Sequence, residues 1–70
     1  MTIRVFSKVG CKYCDMAKEF LEERCIEYEY IVVEDGTELK QKTGQKTFPF
    51  IFDGEKFIGG FRELTEMLEF

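Results

Sequence analysis

The chain has 70 residues, of which 44% are hydrophobic and 16% aromatic, so it can bury the core of one small domain but has no room for a second module. The 14 acidic and 10 basic residues give a net charge of -4, which argues against the basic surface that nucleic-acid binding requires. The chain contains no histidine, which excludes Ser-His and Cys-His hydrolases and zinc sites built on imidazole.

The first half of the chain predicts a strand, a helix and a second strand. Within residues 2–6, the β-branched residues Ile3 and Val5 stand at alternate positions, which is typical of a strand. Residues 27–33 are also rich in β-branched and aromatic residues. Between Lys12 and Arg24, apolar residues recur at intervals of three and four, the spacing of one helical face. They are Tyr13, Cys14, Met16, Ala17, Phe20 and Leu21. A helix between two strands predicts a right-handed βαβ unit with parallel strands.

A short helix and a hairpin are predicted next. Thr37–Lys42 is polar and is followed by Gly44, a residue that suits a helix C-cap. Residues 48–52 and 56–58 flank the pair Asp53-Gly54, which is typical of a two-residue hairpin turn. These two segments therefore predict antiparallel strands.

The end of the sequence predicts a third helix. After Gly59-Gly60, the apolar residues Leu64, Met67 and Leu68 recur at helical spacing, so we expect a helix from about Phe61 onward. The predicted order is a βαβ unit, a short helix, a ββ hairpin and a terminal helix, in one α/β domain over residues 1–70.

Cys11 and Cys14 are the residues most suited to carry chemistry. Cysteines three apart share one face of a helix, close enough for their sulfurs to bond. Cys11 lies at the first helical turn, where free N–H groups and the helix dipole stabilise a thiolate, and Lys8 and Lys12 add positive charge. We therefore expect a depressed pKa for Cys11. In the expected mechanism, Cys11 attacks a substrate disulfide, and the shielded Cys14 then resolves the mixed disulfide.

A zinc site is the alternative interpretation of the cysteine pair. Structural zinc usually needs four Cys or His ligands, and only Cys25 remains to join the pair. Free cysteine is among the most buried residue types, so we expect Cys25 to be a small buried apolar residue with no functional role. We expect no metal site.

Three motifs in order resemble the glutaredoxins, which have a thioredoxin-like fold. They are Lys8 with Cys11-Lys12-Tyr13-Cys14, then Thr47-Phe48-Pro49, then Gly59-Gly60. The resemblance extends from Ile3 to Leu68. It implies a four-stranded mixed sheet with helices on both faces. It also implies a dithiol-disulfide oxidoreductase that reduces protein or glutathione mixed disulfides, with glutathione as co-substrate and no tightly bound cofactor.

The same resemblance implies a glutathione site. In the family, the proline at the position of Pro49 is cis, which leaves the backbone of the preceding residue, here Phe48, free to pair with an extended substrate. Gly59-Gly60 would let a ligand approach the N-terminus of the last helix closely. The implied glutathione-binding residues are Lys8, Tyr13, Thr47, Phe48, Pro49, Gly60, Phe61 and Arg62.

Two departures from the family pattern leave the reductant open. Lys12 stands where many dithiol members have proline, and Phe61-Arg62 stands where many have a small residue and an aspartate. That aspartate would balance the α-ammonium of the γ-glutamyl group, a role for which Glu63 is a candidate. Gly60-Phe61-Arg62 also resembles glutaredoxin-like hydrogen donors of ribonucleotide reductase, which thioredoxin reductase reduces.

An iron–sulfur protein is a third possibility, from a different functional class. As in some glutaredoxins, two chains would bridge a cluster through Cys11 and two bound glutathiones, although Cys14 offers the same thiol a competing disulfide partner.

The expected location is the cytoplasm. The apolar stretch at the N-terminus is too short for a signal-peptide core, and no run of the sequence reaches the ~20 apolar residues of a membrane span. The expected partners are glutathione and disulfide-containing or glutathionylated proteins, with ribonucleotide reductase among the candidates. We expect a monomer that binds neither membrane nor nucleic acid.

Overall fold

The computed structural model describes residues 2–68, which form four strands and three helices. The strands are β1 (Ile3–Ser7), β2 (Tyr28–Val32), β3 (Phe50–Asp53) and β4 (Lys56–Gly59). The helices are α1 (Lys12–Glu23), α2 (Thr37–Thr43) and α3 (Phe61–Leu68). Each predicted element is present, with ends displaced by two residues or fewer. Within residues 2–68, no helix is both long enough and apolar enough to cross a membrane.

The strands form one mixed sheet in the order β2-β1-β3-β4. β1 runs parallel to β2, as the helix between them requires, and antiparallel to β3, which continues into the β3–β4 hairpin. Val5, at the middle of β1, lies opposite Tyr30 on one side and Ile51 on the other. The thioredoxin-like sheet implied by the sequence is therefore confirmed.

The hairpin differs in detail from the sequence prediction. Asp53 pairs with Lys56 inside the ladder, so the turn is Gly54-Glu55 rather than Asp53-Gly54. Gly54 has φ 62, a left-handed conformation that a residue without Cβ adopts at little cost. β3 also begins at Phe50 instead of residue 48, because Pro49 has no N–H to donate to a ladder.

One face of the sheet carries the main hydrophobic core. Alternate residues of the central strands project from this face, and α1 and α3 cover it with their apolar sides. The fully buried members are Ile3, Val5, Ala17, Leu21, Ile51 and Leu64. Burying a side chain of the size of leucine or isoleucine contributes about 1.5–3 kcal/mol. This core therefore holds α1, and with it the cysteine pair, against the sheet.

The opposite face of the sheet is aromatic. Phe6 and Phe52 meet edge to face with their centroids 5.5 Å apart, and Phe50 is fully buried between the rings of Phe48 and Phe57. Leu39 of α2 borders a small cavity together with Phe6 and Phe52. The helices thus lie on both faces, as predicted.

α2 begins after a turn stabilised by Asp35. The Asp35 carboxylate accepts hydrogen bonds from the backbone N–H and the hydroxyl of Thr37, at 3.0 and 2.6 Å. These hydrogen bonds hold the pKa of the Asp35 carboxyl below its ordinary value. The helix ends at Gly44, whose left-handed conformation confirms the predicted C-cap.

The prediction for Cys25 is wrong, because this thiol is exposed rather than buried. α1 ends at Glu23, and the chain reverses through Cys25, whose φ is 55. The next residue, Ile26, donates its N–H to the carbonyl of Leu21 at 3.0 Å and packs its side chain against the core. The reversal after the helix therefore places Ile26 inward and Cys25 outward.

Candidate active site

Cys11 and Cys14 form a disulfide at the N-terminus of α1. Their Cα atoms are 5.3 Å apart, within the usual range for disulfides. Cys11 is the N-cap residue, with an extended backbone (φ -84, ψ 109), and Cys14 lies one turn further along the helix. The pair is therefore closed by the geometry of a single helical turn, and the structure describes its oxidised form.

The helix N-terminus also directs a hydrogen-bond donor at Cys11. The backbone N–H of Cys14 donates to Sγ of Cys11 at 3.1 Å. This N–H is one of the groups that the first turn of a helix leaves without an intrahelical partner. After reduction, the same donor and the positive end of the helix dipole would face a Cys11 thiolate and stabilise its charge.

The two cysteines differ sharply in their exposure. Cys14 is fully buried under the face of α1 that packs on the core, whereas Cys11 is only half-buried. An incoming disulfide can therefore reach Sγ of Cys11 first. Cys14 is held where its sulfur can attack Cys11 and is shielded from solvent.

A cleft of about 330 Å³ opens at Tyr13, which lies between the two cysteines in the sequence. One wall is Tyr13 of α1, the second is the loop before β3, and the third is the N-terminus of α3. The rings of Tyr13 and Phe61, which both line the cleft, form a tilted aromatic pair with their centroids 6.3 Å apart. The cleft is lined by Tyr13, Gln45, Thr47, Phe48, Pro49, Gly60, Phe61, Arg62 and Glu63.

The cleft brings together all of the implied glutathione-binding residues except Lys8. The Nζ atom of Lys8 lies 5.6 Å from the centroid of the Phe48 ring, as in a cation–π contact. Because Phe48 itself lines the cleft, the Lys8 ammonium is held near the cleft without forming part of its wall. Its backbone carbonyl also accepts a hydrogen bond from the N–H of Cys11 at 3.3 Å.

The backbone of Phe48 is presented at the wall of this cleft. The Phe48-Pro49 peptide bond is cis, as the family resemblance implies. Among residues 2–68, no hydrogen bond engages the N–H or the C=O of Phe48. The N–H can therefore donate to an extended ligand and the C=O can accept from it, as the backbone of a free strand edge does.

Gln45 shapes the same loop, and the sequence did not reveal it. Its side-chain amide donates to the carbonyl of Thr47 at 2.6 Å and to that of Pro49 at 2.8 Å. One side chain thus holds the carbonyls on both sides of Phe48. A glutamine in a polar loop gives no local signal of this role, because both contacts depend on how the loop folds back.

We predict that Gln45→Ala destabilises the protein by about 1–2 kcal/mol, since two hydrogen bonds that each contribute about 0.5–1.5 kcal/mol are lost. Urea unfolding would measure the change. The matched control is Gln41→Ala, because Gln41 is exposed on α2 and its substitution should change the unfolding free energy by less than about 0.5 kcal/mol. Equal effects of the two substitutions would contradict the assigned role.

The third wall carries both signs of charge. Oε1 of Glu63 accepts a hydrogen bond from the backbone N–H of Gly60 at 2.7 Å and so caps α3. Arg62 is exposed and pairs with Glu66 at 3.2 Å, one turn along the helix. The carboxylate at this end of the cleft is therefore that of Glu63, the candidate predicted from the sequence.

The described residues, 2–68, contain no group of three or more His, Cys, Asp or Glu side chains arranged to hold a metal ion. Cys25 lies beyond the C-terminus of α1, at the opposite end of the helix from Cys11. It therefore cannot join the pair as a third ligand in this fold.

Comparisons with known proteins agree on one family. The family model for glutaredoxin matches residues 3–58. A glutaredoxin from Vernicia fordii is 36% identical over 73 residues, covering 94% of this chain and 70% of that protein. The mitochondrial glutaredoxin-2 of Mus musculus is 36% identical over 63 residues, covering 80% of this chain and 40% of the relative. This chain thus spans 70% of the length of the first relative and 40% of the length of the second.

Solved structures of the same family have the same fold. A buckwheat glutaredoxin in complex with glutathione is 35% identical, with a TM-score of 0.83 over 91% of this chain and 64% of that one. Glutaredoxin 1 from Francisella tularensis, in complex with cacodylate, is 29% identical, with a TM-score of 0.80 over 93% of this chain and 88% of that one.

Proposed function

Because this chain belongs to the glutaredoxin family of thiol-disulfide oxidoreductases, we propose that it reduces protein and glutathione mixed disulfides with glutathione as the reductant. The observation that carries the proposal is the half-buried sulfur of Cys11, joined to the buried sulfur of Cys14 at a helix N-terminus. The open cleft beside this pair supports a small thiol ligand. The similarity to a glutaredoxin–glutathione complex supports glutathione as that ligand.

In the first step, the Cys11 thiolate attacks the glutathionyl sulfur of a mixed disulfide. The bond between that sulfur and the substrate sulfur breaks, and a bond between Sγ of Cys11 and the glutathionyl sulfur forms. The substrate leaves as a thiolate that takes a proton from solvent. The backbone N–H of Cys14, which lies 3.1 Å from Sγ of Cys11, donates a hydrogen bond that stabilises the negative charge on the attacking sulfur.

Two routes return the enzyme to its reduced form. In one, the thiolate of a second glutathione attacks the glutathionyl sulfur on Cys11, which releases glutathione disulfide and the Cys11 thiolate. In the other, Cys14 attacks Sγ of Cys11 and releases glutathione, which yields the intramolecular disulfide of this structure. Two further glutathione molecules then reduce that disulfide and leave as glutathione disulfide. Both routes therefore yield one glutathione disulfide for each mixed disulfide reduced.

The cleft and the neighbouring Lys8 provide partners for both kinds of charge that glutathione carries. The tripeptide has two carboxylates and one ammonium group. Lys8 and Arg62 can pair with carboxylates, and Glu63 can pair with the ammonium. The free N–H and C=O of Phe48 can bond the backbone of the cysteine, which aligns its sulfur with Cys11.

We also propose where and on what the protein acts. Its partners would be glutathionylated or disulfide-containing proteins. Its location would be the cytoplasm, because the reducing glutathione pool of that compartment keeps such a thiol pair reduced.

The test compares two sources of electrons. The protein would receive the mixed disulfide of cysteine and glutathione, together with reduced glutathione, glutathione reductase and NADPH, and the consumption of NADPH would be followed. We expect turnover. In a parallel reaction, thioredoxin reductase and NADPH replace glutathione and its reductase, and we expect none. Turnover only in the second reaction would overturn glutathione as the reductant and favour the hydrogen-donor alternative.

A further inference from the structure

Exposed apolar side chains flank the nucleophile on both sides along the chain. Val9 is 89% exposed and Tyr13 is 59% exposed, and each lies two residues from Cys11. Tyr13 forms a wall of the cleft, but Val9 does not. A β-branched apolar side chain left almost fully in water gains free energy from any partner that covers it.

The same end of the protein has uncompensated positive charge, although the whole chain has a net charge of -4. Lys8 and Lys12 flank Val9 and Cys11 along the chain, and Lys46 lies in the loop whose neighbouring residues, Gln45 and Thr47, line the cleft. None of these three lysines forms a salt bridge within residues 2–68. Because Lys8 is assigned to a glutathione carboxylate, we call Val9, Lys12 and Lys46 the rim.

Among residues 2–68, no carboxylate forms a salt bridge with a rim lysine. Asp15, the acidic residue in the first turn of α1, instead accepts a hydrogen bond from the hydroxyl of Tyr30 at 3.5 Å. The rim therefore presents an apolar side chain among free ammonium groups, which is complementary to a segment that combines acidic and apolar residues.

We propose that the rim selects protein substrates whose reactive cysteine is flanked by acidic and apolar residues. This inference rests on the proposed function, because it concerns the half of a mixed disulfide that lies outside the cleft. With the glutathionyl half in the cleft, the protein half meets Val9 and the lysines beside Cys11. Its carboxylates neutralise the lysines, and its apolar side chain covers Val9.

The experiment uses four short synthetic peptides, each with a central glutathionylated cysteine. The flanking residues are aspartate with leucine, aspartate with serine, lysine with leucine, or lysine with serine. The reference substrate is the cysteine–glutathione disulfide, which has no flanking residues. We expect kcat/KM for the aspartate–leucine peptide to exceed that for the lysine–serine peptide by about tenfold or more at low salt, with the difference shrinking as salt is added.

Two variants separate the apolar and charged contributions. Val9→Ser should lower kcat/KM severalfold for the leucine-containing peptides only, and Lys46→Glu should lower it for the aspartate-containing peptides only. Neither should change kcat/KM for the reference disulfide. Met67→Ser is the matched control, because Met67 is an exposed apolar residue in the last turn of α3, at the far end of that helix from the cleft, and its substitution should affect no substrate preference.

The outcomes distinguish this inference from the proposed function. Failure to turn over the reference disulfide would overturn the proposed function itself. Turnover of the reference with equal kcat/KM for all four peptides would overturn the rim alone. Equal effects of Val9→Ser and Met67→Ser, or a preference for the lysine peptides, would also overturn it.

Discussion

Cys11→Ser is expected to lower kcat/KM for the cysteine–glutathione disulfide by about 10³-fold or more, a loss of about 4 kcal/mol of transition-state stabilisation. A serine hydroxyl stays protonated near neutral pH, so the hydrogen bond from Cys14 N–H would have no thiolate to stabilise. The substitution also leaves Cys14 as the only sulfur at the site, and Cys14 is fully buried. The coupled NADPH assay measures the loss directly.

Cys14→Ser and Cys25→Ser are the controls for this result. Cys14→Ser should retain turnover of the cysteine–glutathione disulfide, because an external glutathione can resolve Cys11, but it should no longer form an intramolecular disulfide. Cys25→Ser should behave like the unmodified protein, since Cys25 is exposed beyond the far end of α1. Retention of full activity by Cys11→Ser would show that the nucleophile is wrongly assigned.

Gly59→Ala is expected to destabilise the fold by about 4 kcal/mol. Gly59 has φ 136, a conformation that L residues adopt only with about 1–3 kcal/mol of strain. A Cβ at this position would lie 2.6 Å from Cγ and 2.7 Å from Cβ of Glu63, an overlap that costs about 1–3 kcal/mol more. Moving Glu63 aside would also break its hydrogen bond to Gly60 and uncap α3. Thermal unfolding would detect the change as a fall in Tm of roughly 15–30 °C.

Gly60→Ala is the matched substitution one residue later. A Cβ on Gly60 would be 3.4 Å from Oε1 of Glu63 and 3.6 Å from the carbonyl of Pro49, and its φ is not in the left-handed region. We therefore expect a change in unfolding free energy of less than about 1 kcal/mol. If the two alanine variants unfold at the same temperature, a Cβ at position 59 does not clash with Glu63 and the prediction for Gly59→Ala is wrong.

Much of the fold could be predicted from local patterns. The alternation of Ile3 and Val5 and the helical spacing of Cys14, Ala17 and Leu21 each reflect burial on one face, and the structure buries all five residues. Gly44 was recognisable as a C-cap because few other residues adopt a left-handed conformation cheaply. Local signals were weakest at element ends, where Asp53 entered the ladder and shifted the turn to Gly54-Glu55.

The candidate site was only partly predictable. The Cys11–Cys14 pair follows from spacing alone, because residues three apart meet within one helical turn wherever the helix lies. Cys25 was wrongly placed in the core, because residue type predicts burial only on average and the chain reversal after α1 turns this side chain outward. Gln45 was missed, because its two acceptors become neighbours only when the loop before β3 folds around it.

The amino-acid sequence by itself determined the order of the elements, the redox pair and its place at a helix N-terminus, because each depends on contacts within a few residues. The cleft was decided by tertiary structure. Tyr13, Phe48 and Phe61 belong to three distant segments, and only the packing of α1 and α3 on one face of the sheet brings their rings together. The core that packs those helices therefore also sets the geometry around Cys11.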